Sequence, residues 1–213
     1  MNQEYIKKNN DDINRITIKS DEIVYICGKR KTGKSYLMEK IGIGYERYIV
    51  YDGATHQHSN MGQIVRTPEQ LKKAIETGTN KIVCQPWIDN DKIFDSFCKI
   101  IWEKGNFLLM IEEIGNYCTS YSAGTYFDMI VRVGRNRGIG IWGINQRPGR
   151  IWLNFIGVID HWFIFSQDLP SSIEFLEEYI GYDKANSLKT LPKRYFYYKN
   201  TDTGEVIKCN PIK

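Results

Sequence analysis

A chain of 213 residues with 42% hydrophobic and 25% charged side chains has ordinary globular composition: room for one α/β domain with a sizeable core, slightly short for two. The 29 Lys+Arg against 25 Asp+Glu leave a formal charge of +4. That excludes a charge-dominated disordered chain and is too weak to argue by itself for a phosphate-bearing partner. Met1–Asp12 is polar, without the apolar stretch of a signal peptide, and the longest apolar run, Phe107–Ile111, falls far short of the roughly 20 residues that cross a bilayer. A soluble single domain over 1–213 is expected, with an N-terminal segment (1–20) and a terminal hairpin (192–213). The cysteines at 27, 84, 98, 118 and 209 stand singly, without CxxC or Cys/His ligand spacing. They read as small buried hydrophobes in a reducing compartment.

In chain order, apolar runs rich in β-branched and aromatic residues predict strands over Glu22–Cys27, Arg47–Tyr51, Lys81–Cys84, Phe107–Ile111, Ile139–Ile144 and Trp162–Phe165. Continuous apolar runs are expected of strands covered on both faces of a parallel sheet. Helices are predicted between them. Thr67-Pro68 opens one, with Thr as N-cap and Pro at the first helical position. Asp91–Lys104 carries an apolar stripe of Ile93, Phe94, Phe97, Ile100 and Ile101, and Tyr126–Val133 is a third. The alternation predicts an α/β, mostly parallel, doubly wound sheet. Arg194–Tyr198 and Val206–Cys209 flank a turn-rich Asn200–Gly204 and predict a C-terminal β-hairpin.

Gly28-Lys29-Arg30-Lys31-Thr32-Gly33-Lys34-Ser35 matches GxxxxGK[ST], with a strand before it and a helical stretch after it. The glycines let successive N–H groups turn inward as an anion nest at a helix N-terminus. Lys34 can then reach the β- and γ-phosphates of ATP, and the Ser35 hydroxyl can ligate Mg²⁺. The expected nucleotide-binding set is Gly28, Lys31, Thr32, Gly33, Lys34, Ser35 and Tyr36; Lys29, Arg30 and Lys31 otherwise read as a solvated basic rim. Phe107–Ile111 ends in Glu112-Glu113, the pattern expected on a strand beside the P-loop strand. Glu112 is the candidate Mg²⁺ ligand, one methylene longer than the usual Asp, and Glu113 the candidate base for the attacking water. The P-loop NTPase class implied is the RecA/ASCE-like one. His56 and His58 stand two apart in a polar loop and read as loop residues.

Arg135-Asn136-Arg137-Gly138-Ile139-Gly140, followed by Gln146-Arg147-Pro148, resembles a segment of the FtsK–HerA superfamily of DNA-pumping ATPases. The resemblance implies that Gln146 senses the γ-phosphate and that an arginine acts in trans on the neighbouring subunit's nucleotide. That role falls on Arg135, with Arg132 and Arg137 as alternatives. Within the superfamily the chain is similar to the small genome-packaging ATPases of archaeal turreted icosahedral viruses and related internal-membrane viruses. The likeness extends to Asp52 ending the second strand and to Leu188-Lys189-Thr190-Leu191 before the hairpin. It implies an ATP-driven translocase of double-stranded DNA, working as a hexameric or pentameric ring at a viral capsid vertex, in the host cytoplasm or the virion. The loops Thr55–His58 and Gly115–Gly124, or Lys193-Arg194, are the candidate DNA contacts. Competing expectations are another motor of the superfamily (conjugation or phage assembly), an ATP-binding switch without turnover, and a small-molecule kinase.

Overall fold

The computed structural model describes residues 16–211. The polar Met1–Asp12 stretch therefore lies outside the described residues, as does the end of the 192–213 segment. Among the described residues nine strands form one sheet: β1 (Ile23–Cys27), β2 (Tyr48–Tyr51), β3 (Gln63–Val65), β4 (Lys81–Cys84), β5 (Leu108–Ile111), β6 (Gly140–Asn145), β7 (His161–Phe165), β8 (Phe196–Asn200) and β9 (Val206–Cys209). Their order is β3-β4-β2-β5-β6-β1-β7-β8-β9. The pairs from β3 to β7 are parallel, and the hairpin β8–β9 adds two antiparallel strands to the β7 edge. The expected α/β, mostly parallel sheet is the observed one.

Every residue of β1, β2, β5, β6 and β7 is buried. Alternation along each strand sends the side chains into two cores. Ile23, Tyr25, Cys27, Ile49 and Tyr51 point into one, and Val24, Ile26, Val50 and Met110 into the other. The first core is covered by α2 (Pro68–Glu76), α3 (Asp91–Lys104), α4 (Thr125–Val133), α5 (Leu153–Ile156), α6 (Pro170–Ile180) and α7 (Tyr182–Ser187). The second is covered by α1 (Lys34–Gly42), through Leu37, Met38 and Ile41, with Ile16, Ile18 and the hairpin's Phe196 and Tyr198.

Local chemistry sets the helix starts. Thr67 accepts a hydrogen bond from the Gln70 N–H with Pro68 at the first helical position, and Asn90 does the same for Ile93. The N-terminus of α4 has no cap of its own; Asp95 of α3 accepts from the N–H groups of Tyr126 and Phe127, both at 2.9 Å. Two expectations need correcting. The fourth predicted strand is not beside the P-loop strand, because β6 lies between β5 and β1. The short β3 and the helices after β6 were absent from the predicted elements: β3 exposes two of its three residues, so no apolar run announces it.

Candidate nucleotide site

The candidate residues gather at the carboxyl ends of the central parallel strands, where open α/β sheets place their ligands. β1 runs into Gly28–Gly33, and α1 starts at Lys34. Gly28 (φ 154°) cannot carry a Cβ, which would lie 2.5 Å from the Phe165 Cβ. Gly33 at φ 116° and Lys31 at φ 63° complete a left-handed path that suits a nest of inward N–H groups. The Lys34 ammonium donates to the Lys29 carbonyl at 3.0 Å, within its own loop. Burial holds the Lys34 pKa below the ordinary lysine range, opposed by the charges of Glu113 and Glu112. Both carboxylates are thus within electrostatic reach of the P-loop lysine.

Because β6 separates β5 from β1, its end projects Gln146 between Glu113 and the P-loop. The Gln146 amide NH₂ donates to Glu113 Oε1, and the Arg30 Nε donates to the Gln146 Oε1 at 2.9 Å. Arg30 is exposed, as a rim residue should be, and it also links the P-loop to Gln146. Lys29 is also engaged, by an exposed ion pair with Asp168 at 3.1 Å. Glu113 holds left-handed backbone (φ 50°, ψ 50°), a conformation costing a non-glycine residue about 1 kcal/mol, of the kind that collects at functional sites.

Glu112 turns the other way, into a buried network. Its Oε1 lies 2.7 Å from His58 Nε2, while His58 Nδ1 lies 2.8 Å from Glu39 Oε1 on α1. The His58 backbone N–H donates to Asp52 Oδ2 at 2.9 Å, and Asp52 also accepts from the Thr55 hydroxyl and the Gln85 amide. Burial alone would lower the His58 pKa, but the Glu112 hydrogen bond with the charges of Glu112, Asp52 and Glu39 outweighs it, and the net shift is upward. A polar-loop reading of His58 is thereby corrected. The side chain is fully buried, so it cannot touch DNA, whereas His56 and Gln57 are exposed.

Mg²⁺ takes few protein ligands and keeps several waters and phosphate oxygens. The described residues fit that habit. No group of three or more His, Cys, Asp or Glu forms an all-protein cage among them, and the donors expected from the sequence are the Ser35 hydroxyl and Glu112. The His58 contact engages one carboxylate oxygen of Glu112, Oε1.

Arg135 lies elsewhere. Its guanidinium pairs with Asp160 Oδ2 at 2.5 Å and donates to the Asp21 carbonyl at 3.3 Å, at the amino ends of β7 and β1. The six residues of β6 separate it from Gln146 by about 20 Å at 3.3 Å per residue. It cannot reach its own chain's P-loop. Arg137 donates to the carbonyls of Trp102 and Glu103, closing the end of α3, and Arg132 pairs with Asp128 one turn back in α4. Arg194, left-handed at φ 71°, donates its N–H to the Thr32 carbonyl at 3.0 Å and sets its guanidinium 5.1 Å from the Tyr36 ring centroid. This hairpin-leading residue sits on the P-loop, a placement its sequence neighbours do not signal.

No family model and no curated protein sequence matches the chain. Solved structures do. It is similar to the genome packaging NTPase B204 from Sulfolobus turreted icosahedral virus 2 in complex with AMPPCP, at 19% identity, over 91% of this chain and 99% of that one, with a TM-score of 0.78. B204, the DNA-packaging ATPase from Sulfolobus Turreted Icosahedral Virus, gives 23% identity, 91% and 98% coverage and a TM-score of 0.75. The fold is that of a P-loop ATPase. VirB4 of Thermoanaerobacter pseudethanolicus shares it at 9% identity, over 96% and 95% of the two chains, with a TM-score of 0.69. Among the described residues no helix is long and apolar enough to cross a membrane.

Proposed function

We propose that the chain is an ATP-driven translocase of double-stranded DNA that packages a viral genome into a preformed capsid. The observation that carries this reading is the convergence, at the ends of β1, β6 and β5, of Lys34, Gln146 and Glu113. A nucleotide-binding switch has no use for a carboxylate held by a γ-phosphate sensor. The match of nearly whole chains with two viral packaging enzymes supports the substrate.

In this reading the nest from Gly28 to Ser35, with Lys31, Thr32 and Tyr36, cradles the phosphates, and Lys34 leaves the Lys29 carbonyl for the β- and γ-oxygens. Ser35 and Glu112 would hold Mg²⁺, which when bound neutralises charge on the transferred phosphoryl group. Glu113 takes the proton of the attacking water, and Gln146 orients that water against the γ-phosphate. Arg135, pointing away from its own site, serves the next subunit of a hexameric or pentameric ring. The 213 residues act as one domain, in the host cytoplasm and at the capsid vertex, with Gly115–Gly124 and its exposed Tyr121 at the strand ends as a DNA contact.

The test is the ATPase rate with and without duplex DNA, beside the mass of the assembly in solution. Stimulation by duplexes of unrelated sequence, in a ring, is expected. Phosphorylation of a small acceptor, or a monomer indifferent to DNA, overturns the reading.

A further inference from the structure

The His58 ring is held at both nitrogens, and neither the resemblance nor the motifs assign it a role. It is wholly buried, and the residue joins three elements, two through its ring and one through its backbone. Through Nδ1 it reaches Glu39, in the helix that begins at the P-loop lysine; through Nε2 it reaches Glu112, at the end of β5; its backbone N–H is held by Asp52, at the end of β2. Asp52 is itself fixed from two further sides, by Thr55 and by Gln85. The ring therefore cannot swing without breaking a network anchored on both sides of the site.

Burial of ionic groups at this depth is expensive unless every polar atom is matched, and one unmatched carboxylate costs more than the whole pair contributes. Packing alone would favour an apolar residue. A donor locked onto a single oxygen of a ligand-type carboxylate is, instead, the arrangement that orients metal ligands from behind, where loss of the supporting hydrogen bond costs about tenfold to a hundredfold in metal affinity. It also answers the departure at Glu112: a glutamate has one more rotatable bond than the usual aspartate, and His58 removes that freedom by holding Oε1.

We propose that His58 is a positioning residue for Mg²⁺·ATP. It holds Oε1 of Glu112 so that the second oxygen faces the metal-bound waters, and it ties that carboxylate to α1 through Glu39, so that the phosphate nest and the metal-side carboxylate keep a fixed relation. This rests on the ATPase reading above.

The experiment measures equilibrium affinity for ATP by a fluorescent ATP analogue, once with Mg²⁺ and once with EDTA, on wild type, His58→Ala, His58→Gln and Glu39→Gln. Melting temperature and steady-state kinetics accompany each measurement. In EDTA all three variants are expected to bind within about twofold of wild type. The gain in affinity on adding Mg²⁺ is expected to fall about tenfold or more in His58→Ala. His58→Gln keeps a donor near the Nε2 position and should recover most of that gain, and Glu39→Gln should lie between. Turnover should follow the same order, in kcat more than in KM. Should His58→Ala fail to fold, His58→Gln and Glu39→Gln carry the comparison. An unchanged Mg²⁺-dependent gain in the folded variants overturns the proposal, and so does an equal loss of affinity with and without Mg²⁺, which marks His58 as support for the fold alone. A wild-type chain that binds no ATP in either buffer overturns the ATPase reading, and this proposal with it.

Discussion

At the scale of single residues, Lys34 shows how function sets itself against stability. Its ammonium is buried, and its pKa lies below the ordinary lysine value because burial outweighs the attraction of Glu113 and Glu112. A cation whose folded-state pKa is depressed costs the folded state stability at every pH below that pKa, and the cost disappears only as pH rises through the unfolded value. Lys34→Met should therefore unfold at the same or a higher temperature than wild type without nucleotide, while ATP affinity drops about tenfold to a hundredfold, the worth of one hydrogen bond to a charged group. Calorimetry and nucleotide titration on the same preparation check both halves. Glu113→Gln separates binding from chemistry: shape and left-handed backbone are kept and the base is removed. Bound ATP should persist and single-turnover hydrolysis should slow by about 10²- to 10⁴-fold. If Glu112→Gln proved to be the variant that traps ATP, the division of labour between the two glutamates would be reversed.

At the scale of elements, the decisive fact is that β6 lies between β5 and β1. It carries Gln146 into the gap between Glu113 and the P-loop, and the same six-residue strand keeps Arg135 at the opposite rim of the sheet. Neighbouring arginines divide their work by geometry. Arg137 caps α3 with bonds of 2.8 and 3.1 Å to the Trp102 and Glu103 carbonyls and lies 4.8 Å from the centroid of the Trp102 ring. A cation there also opposes the negative end of the helix dipole. Arg137→Ala should lower stability by about 1–2 kcal/mol in urea unfolding and leave ATPase activity per folded chain unchanged. A large loss of turnover at unchanged stability would assign Arg137, and not Arg135, to the neighbour's site.

At the scale of the whole molecule, the proposed function puts Gln146 and Glu113 in one chain and Arg135 about 20 Å away, so that a second copy would have to supply the arginine. Arg135→Ala should bind ATP almost normally and yet turn over about 10³- to 10⁵-fold more slowly in the assembly. Mixing it with Glu113→Gln subunits gives the sharper measurement. Each is nearly inactive alone, but mixed rings contain interfaces that pair an intact Glu113 with an intact Arg135, so activity should return in proportion to subunit exchange, followed by co-purification of two tags. Exchange without recovery at any ratio would count against action in trans. In the single chain Arg135 is paired with Asp160, and the proposed action in trans would require that pair to open.

What the sequence by itself determined is what adjacent residues can state. The phosphate nest is eight consecutive residues, the start of α2 is Thr67-Pro68, α3 shows its apolar stripe from Ile93 to Ile101, and six strands announce themselves as apolar runs because both faces of a parallel sheet are covered. Tertiary structure decided what depends on residues far apart in the chain. Strand order is one case: nothing in Gly140–Asn145 says that it will pair with both β1 and β5. Arg30 is another, a variable position of the motif whose partner Gln146 lies 116 residues on. His58 is the clearest. It sits in a polar loop and would be solvated in isolation; it is buried because Glu39, 19 residues before it, and Glu112, 54 residues after it, close on its two nitrogens. Hydrogen bonds and ion pairs have no periodicity to betray them, whereas burial of a strand or a helix face does.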